Sequence, residues 1–471
     1  MKRLSIIGLA CVVFVGASRL AAAQAPAPAQ ARPSSPAPAS LLTLDAAVAL
    51  ALEQNRQLQS SALEVAKAED GLALARLRRL PVFNVNLIAS QSVTQTTFSV
   101  PKGAFGTFAS TGPIPPDDTK ITRSRDPIAF AYVTAAQPLT QLSRINLGVK
   151  ASETSRDIEQ ARAQRAALEI AANVRKLYYA LLQTDSALRA ADAAIDAARE
   201  LDREMQERAS RRAILPADAG DASLKLAQAE QTRLSLSHSL DSQKEQLNLL
   251  IGRDVRTPFA LEMVREPSLD RDDVDAAITQ ARAARPDVRE ARLRVEQADL
   301  DRRAKLAERL PDLSLVVTYV SLFNVDFLPR NLAGVGVQLQ WEPWDWGRKR
   351  REATQKAKTV DEAKLAVREA EDQVALEVLA AVRRLEDAAA QLRVARLAQE
   401  VATERLRERT EQLKLNAALA AEALQAQAQL SDATARHQQA IAAYWSARAE
   451  FERARGDAPS ANALPAAPPS R

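Results

Sequence analysis

Residues Val337 to Lys358 read VQLQWEPWDWGRKRREATQKAK. The stretch opens as a strand: Val337 and Leu339 alternate with Gln338 and Gln340, the period of a ribbon whose two faces meet different surroundings. Pro343 cannot donate to a ladder and stops it, and Gly347 allows the chain to swing into another direction. From Arg348 onward the pattern is helical. A strand that passes directly into a helix, with Trp341, Trp344 and Trp346 at the join, poses the question of the fold.

The order recurs. Setting Leu80-Pro81 on Leu310-Pro311, an offset of 230, lays Asp45-Ala46-Ala47-Val48 on Asp275-Ala276-Ala277-Ile278 without a gap. Setting Pro138 on Pro343, an offset of 205, lays AYVTAAQPL on GVQLQWEPW with Tyr132 on Val337. Each copy then predicts helix, strand, loop, strand, very long helix, turn and helix. Gln91 to Pro127, rich in Gly, Pro, Ser and Thr, is an extra loop of the first copy. Phe83, Val85, Leu87 and Ala89 alternate with Asn84, Asn86, Ile88 and Ser90. Phe130, Tyr132 and Thr134 alternate with Ala129, Ala131 and Val133, and the alignment makes them counterparts of Val335, Val337 and Leu339.

Leu142 to Arg212 holds no breaker and predicts a helix on the order of 100 Å long. Val174, Leu177, Leu181, Leu188 and Ile195 give it a heptad seam, answered by Leu236, Leu240, Leu247 and Leu250 on the returning helix. Gly252 ends that helix. The second copy runs from about Arg348 to Leu415, turns at Asn416 and returns to Arg455.

Lys2, Arg3, an apolar run from Leu4 to Ala17 and Ala21-Ala22-Ala23 predict a secretory signal peptide. Cys11, the one cysteine, reads as a small residue of the apolar run rather than a lipoprotein site, so the mature chain has no disulfide or thiolate ligand. Removing Lys2, Arg3 and Arg19 takes the net charge from +5 to 5 − 3 = +2, and charges of both signs interleave, which argues against nucleic acid. The expected divisions are 1–23 signal peptide, 24–40 Ala/Pro-rich linker, 41–255 first repeat (strands about 82–91 and 128–137), 256–270 inter-repeat segment, 271–455 second repeat (strands about 312–321 and 332–342) and 456–471 disordered tail.

Four strands with an apolar face and no compact core predict a sheet that meets lipid, where a sheet must close. Barrels of this kind begin at about 8 strands, so several chains must share one. The tryptophans then form an interfacial aromatic belt, and Arg348, Lys349, Arg350 and Arg351 lie just outside the hydrocarbon or in a solvated helical turn.

LTLDAAVALALEQN (Leu42 to Asn55), LRRLPVFNVNL, AAQPLTQL and the duplication resemble the TolC-like outer-membrane efflux protein family. The resemblance implies a mostly α fold with a transmembrane β-barrel contribution. Three chains would form a 12-stranded barrel and a 12-helix periplasmic α-barrel. It implies a homotrimer in the outer membrane of a Gram-negative bacterium, in contact with its lipid, working with a periplasmic adaptor and an inner-membrane transporter of a tripartite efflux or type I secretion system. It also places a periplasmic gate at Asp218 and Asp221 in the first copy and at Glu422 and Gln425 in the second, where Gln425 stands in for an acid. Such acids equally suit the first turn of a helix. The turns at Ile214, Leu215 and Pro216, and at Leu415 and Asn416, are the expected adaptor-docking sites.

His238 and His437 lack paired ligands, Gly334-Val335-Gly336 lies inside a strand, and no nucleophile or phosphate-loop motif occurs. No enzyme, cofactor or metal is expected. The competing expectation is a periplasmic adaptor or structural coiled-coil protein without a pore; such a protein has no need of two strand pairs that each feed a helix of this length.

Overall fold

The computed structural model describes residues 40–457 except 92, 94, 124–126, 269–272, 325–328 and 415–419. The expected signal peptide with Cys11, the linker before residue 40, the tail beyond 457, and the turn residues Leu415 and Asn416 lie outside the described residues.

The first copy comprises α1 (Leu44–Gln54), α2 (Arg56–Leu77), β1 (Val82–Gln91), β2 (Pro127–Pro138), α3 (Leu142–Ser210) and α4 (Pro216–Leu250). The second comprises α5 (Val274–Ala284), α6 (Pro286–Ala307), β3 (Asp312–Phe323), β4 (Asn331–Gln340), α7 (Arg348–Lys414) and α8 (Ala420–Arg455). Where the sequence suggests one helix from Asp45 to Leu80, the chain bends at Asn55. That residue is extended (φ −65°, ψ 126°), and its side-chain oxygen accepts from Gln57 N and Leu58 N, opening a new helix. Its Nδ2 donates to Leu250 O at 2.8 Å, which ties the bend to the end of α4. Arg285, followed by Pro286, makes the same bend in the second copy. The insert is more ordered than a plain loop: Thr96–Val100 pairs with Thr119–Arg123, and Thr107–Phe108 with Gly112–Pro113.

The helices bury two cores. The first joins α1, α3 and the end of α4; the second joins α5, α7 and α8. Their residues correspond. Ala47, Ala51 and Leu58 map by 230 onto Ala277, Ala281 and Val288, all buried. Ile170, Val174 and Leu181 map onto Val374, Val378 and Leu385, also buried, but by 204. Gly252 (φ 80°) maps by 204 onto Gly456 (φ 83°).

The strands form one antiparallel sheet in the order β4-β3-β2-β1. Val82 faces Ala136 and Asp312 faces Gln340, so β2 maps onto β4 by 340 − 136 = 204 as well. The sequence alignment of Pro138 with Pro343 is therefore one residue out. A slip of one exchanges the faces of a strand. Phe130, Tyr132 and Thr134 are not counterparts of Val335, Val337 and Leu339; they correspond to Gly334, Gly336 and Gln338, on the opposite face. One face thus carries Phe83, Val85, Leu87, Val133, Leu315, Val317, Val335, Val337 and Leu339. The other carries Asn84, Asn86, Thr134, Ser314, Thr318, Gln338 and Gln340, together with the apolar row Val82, Ala136, Val316 and Gly336, at the end near the helices.

Tyr178, fully buried on α3, pins the segment between the copies: its hydroxyl lies 3.0 Å from Leu42 O and 3.1 Å from Glu262 O, and it accepts from Glu262 N at 3.1 Å. At the second bend Arg285 is buried. Its Nε and Nη2 donate to both oxygens of Asp287 (3.0 and 2.6 Å), and Nη1 donates to Glu377 at 2.7 Å. Burial alone raises the Asp287 carboxyl pKa, but the hydrogen bonds and charge of Arg285 outweigh it and hold the group below the usual carboxylate range. A depressed folded pKa supplies stability above the unfolded value of about 3.9, lost as pH falls through the folded value. Asp287→Asn should cost on the order of 3 kcal/mol at pH 7, because a buried guanidinium loses its bidentate partner. Urea unfolding at pH 7 and at about pH 3 checks this; the gap should narrow in acid, and an equal loss at both pH values would contradict it.

Candidate functional site

Three features gather the residues singled out in the sequence: the hairpin tip of the first copy, that of the second, and the join between sheet and helices. At the first tip, α3 ends in a Schellman-type turn. Arg212 takes φ 57°, and Ala213 N donates to Arg208 O at 2.9 Å. Ile214, Leu215 and Pro216 then lead into α4, with Leu215 68 % exposed. Asp218 Oδ2 accepts from Leu215 N at 3.3 Å, which makes Asp218 a cap of α4. Asp221, one turn on, is exposed on the same helix face. Gly220 lies inside an unbroken helix. Gln206 Nε2 donates to Ser223 Oγ (3.0 Å), and Ser223 Oγ to Asp202 (2.6 Å), closing the hairpin behind the tip.

At the second tip Glu422 and Gln425 are exposed and line a cleft of about 550 Å³ with Arg405, Glu408, Arg409 and Gln429. Arg409 Nη1 lies 3.5 Å from Glu422 Oε2 and donates to Gln412 at 2.9 Å. The two tips therefore differ: Asp218 is engaged by its own helix, whereas Glu422 is opposed by a guanidinium from the facing helix. The sequence reading missed Arg405 and Arg409. The available signal was the hairpin itself, since a turn near Asn416 sets residues of α7 opposite those of α8. Among the described residues no group of His, Cys, Asp and Glu has metal-binding geometry.

At the join, Trp341, Trp344 and Trp346 are 57 %, 73 % and 90 % exposed. Trp344 and Trp346 meet edge to face with ring centres 6.0 Å apart. Trp346 (φ 54°) and Gly347 (φ 82°) reverse the chain, and Asp345 caps α7 by accepting from Gly347 N and Lys349 N, both at 3.0 Å. Those backbone bonds, that from Lys349 first, hold its carboxyl below the usual range. The basic run is partly neutralised locally, with Arg348 on Glu342 (2.8 Å) and Glu352 (3.2 Å) and Lys349 on Glu342 (3.5 Å).

Among the described residues, the sheet edges and one side of α7 lack partners within the chain. All ten residues of β1 and all ten of β4 are exposed along the two open edges of the sheet. On α7, Leu365, Leu376, Leu379, Val394, Leu397 and Val401 are exposed, about half a turn from the buried stripe Val374, Val378, Leu385 and Leu392. A helix with two apolar faces needs a neighbour on each. The corresponding helix α3 has both: it packs on α2 and α4 and also on α6 and α8, whereas α7 has α5, α6 and α8.

Residues 47–253 match the family described as outer membrane efflux protein. No curated protein matches the sequence. Solved structures with the same fold include the CmeC outer membrane channel of Campylobacter jejuni (TM-score 0.71, 15 % identity, 88 % of this chain and 85 % of that one). A membrane protein from Pseudomonas aeruginosa gives 0.71, 17 %, 93 % and 98 %, and the outer membrane protein VceC of Vibrio cholerae 0.66, 18 %, 88 % and 96 %. The resemblance read from the sequence therefore holds, and the fold is that of outer-membrane channels.

Because the Arg409–Glu422 pair is solvent-exposed, Arg409→Ala and Glu422→Ala should each change unfolding stability by less than about 1 kcal/mol. Denaturant titration checks this. A loss above about 2 kcal/mol would mean that the pair holds the tip together rather than setting its charge.

Proposed function

We propose that the chain, an outer-membrane efflux channel by family and fold, acts as the exit duct of a tripartite efflux or type I secretion system. It does so as a homotrimer in the outer membrane of a Gram-negative bacterium. The observation that carries the reading is the missing half of a repeated junction. What α3 finds in α6 and α8, α7 must find in α2 and α4 of another copy, and α2 and α4 do leave Leu63, Leu74, Leu77, Leu224 and Leu234 exposed. A heterologous contact of this kind closes into a ring. Three copies give 12 strands, above the minimum of about 8, and 12 long helices counting α3, α4, α7 and α8. The ring satisfies the open edges of β1 and β4, as lipid demands. The face with Val85, Val335 and Leu339 meets hydrocarbon and the face with Asn84, Asn86 and Gln338 meets water. Trp341, Trp344 and Trp346 form the belt at the periplasmic rim.

The hairpin tips then lie at the periplasmic end. Asp218 and Asp221, with Glu422 and Gln425, line the gate, and Arg409 tempers its negative charge. Ile214, Leu215 and Pro216, with Leu415 and Asn416, receive a periplasmic adaptor, which joins the duct to an inner-membrane transporter. The chain conducts passively and catalyses nothing.

The repeat also fixes the register between copies. Within the chain Val133 faces Tyr319. Carrying both to the junction between copies, 133 + 204 = 337 and 319 − 230 = 89, sets Val337 opposite Ala89 of the next copy and Leu339 opposite Leu87. The double variant Leu339→Cys, Leu87→Cys should oxidise to covalent trimers on denaturing gels. Leu339→Cys with Phe83→Cys, about 13 Å out of register, should not. Purified protein in planar bilayers should give discrete conductance steps. A soluble monomer that neither crosslinks nor conducts overturns the reading.

A further inference from the structure

The junction inside the chain and the junction between copies join corresponding elements, so each contact of the first has a counterpart in the second. Positions on α3 carry to α7, and on α8 to α4, by 204; positions on α6 and β3 carry to α2 and β1 by 230. From the sheet to Lys176 the junction inside the chain is ionic. Arg144 meets Asp312 at 3.2 Å, Arg162 meets Glu290 at 2.9 Å, Arg175 meets Glu452 at 3.3 Å and Lys176 meets Glu450 at 3.8 Å. Arg165 adds a contact to Glu290 at 3.8 Å. No opposite charges stand at the counterpart positions. These are Arg348 with Val82, Ala366 with Ser60, Leu379 with Asn248 and Ala380 with Gln246, and Arg165 becomes Glu369. Apolar bulk appears instead. Leu365 and Leu376 on α7 stand for Ala161 and Ala172, and Leu74 and Leu77 on α2 stand for Ala304 and Ala307. All four leucines are exposed in the single chain.

Just beyond, farther from the sheet, the two chemistries change places. Inside the chain Tyr179 and Leu182 on α3 pack with Ala442, Trp445 and Ala449 on α8 in the first core. Leu182 and Ala442 line one small crevice. At the counterpart positions Arg383 and Glu386 stand for Tyr179 and Leu182, and His238, Asp241 and Glu245 stand for the three residues of α8. All five are exposed in the single chain. The crevice carries over as Glu386 opposite His238 of the next copy, since 182 + 204 = 386 and 442 − 204 = 238.

We propose that the two kinds of junction in the ring are chemically inverted, each apolar where the other is charged, and that the inversion fixes which edge meets which. This rests on the trimeric duct reading and names the contact by which a second copy is recognised. Near the sheet, α7 takes α2 of the next copy through leucines. Farther down it takes α4 through charged and polar side chains, with the His238 imidazole donating to the Glu386 carboxylate. Each junction rejects the other's partner. If α3 met α2 and α4 of another chain, Leu182 would cover His238 and Arg162 would face Ser60, leaving polar groups desolvated without partners. A partly formed chain, whose α3 still awaits α6 and α8, is thereby kept from joining the first half of another.

The test measures the yield of trimers when the full-length protein is extracted in detergent and run unheated on gels. Ser60, Ala366 and His238 are exposed in the single chain, so charge placed there spares its fold. Ser60→Glu with Ala366→Glu sets like charges across copies and should lower the trimer yield about tenfold. Ser60→Glu with Ala366→Arg rebuilds the Arg162–Glu290 pair between copies and should keep the yield of the parent. His238→Glu should lose trimers in the same way, and His238→Arg should retain them. Equal yields within either contrast, whether both high or both low, overturn the inversion. The trimer itself then stands if Leu339→Cys with Leu87→Cys still crosslinks in the otherwise unchanged chain. A parent protein that gives neither trimers nor that crosslink overturns the duct reading and the inversion with it.

Discussion

A sheet with an oily face and two bare edges cannot exist alone in any solvent. In water its outer face, with Val85, Leu87, Val335, Val337 and Leu339 largely exposed, costs hydrophobic free energy. In lipid that cost vanishes, but the unpaired N–H and C=O groups along β1 and β4 then lack partners. Pairing of both edges would meet the two demands at once. The strands are short, and each joins a helix at the same end of the sheet: α2 and α6 lead into β1 and β3, and β2 and β4 lead into α3 and α7.

The duplication gives one chain two copies of the same junction between helices and sheet. Its joint is built the same way twice. Gly252 ends α4 against the bend after α1, so close that a Cβ there would lie 2.5 Å from Gln54 O. Gly456 ends α8 against the bend after α5, where a Cβ would meet Ala284 and Arg285 at 3.3 to 3.4 Å. Both glycines have left-handed φ, which a side chain resists. The joints differ in how the bend is held. Asn55 uses its amide to tie α4 in the first copy, and Arg285 uses a charged fork to Asp287 and Glu377 in the second. The second arrangement is the one sensitive to acid.

Charge on the long helices serves both the single helix and its contacts with neighbours. Along α3 and α7 many ion pairs reach other segments, as in Arg175–Glu452 and Arg384–Glu450, and a smaller set is spaced three or four residues apart on solvated faces, as in Arg189–Asp185 and Lys364–Asp361. Each of the latter contributes a few tenths of a kcal/mol, which suits helices whose stability comes from their packed stripes. Glu290 is different. It is buried and receives Arg162 at 2.9 Å and Arg294 at 2.6 Å, joining α3 to α6 across the two copies.

The sequence by itself determined the kinds of elements, their order and their duplication. Alternation over Phe83 to Ala89 and the heptad seam from Val174 to Ile195 are local signals, legible without knowing what lies opposite. The offset of 230 was legible too, because Asp45 to Leu80 aligns without a gap. The tertiary structure decided everything that depends on which residue lies across from which. Pro138 and Pro343 look equivalent, yet the ladder and the buried stripes of α3 and α7 both require 204 rather than 205. That single residue moved Phe130 and Tyr132 to the face opposite Val335 and Val337. Arg409 came to oppose Glu422 in the same way, through a hairpin pairing that composition does not record. The physical reason is that period-two and heptad patterns specify a face only relative to their own strand or helix. Which face is inside is settled by hydrogen-bond register and side-chain packing between segments far apart in the chain.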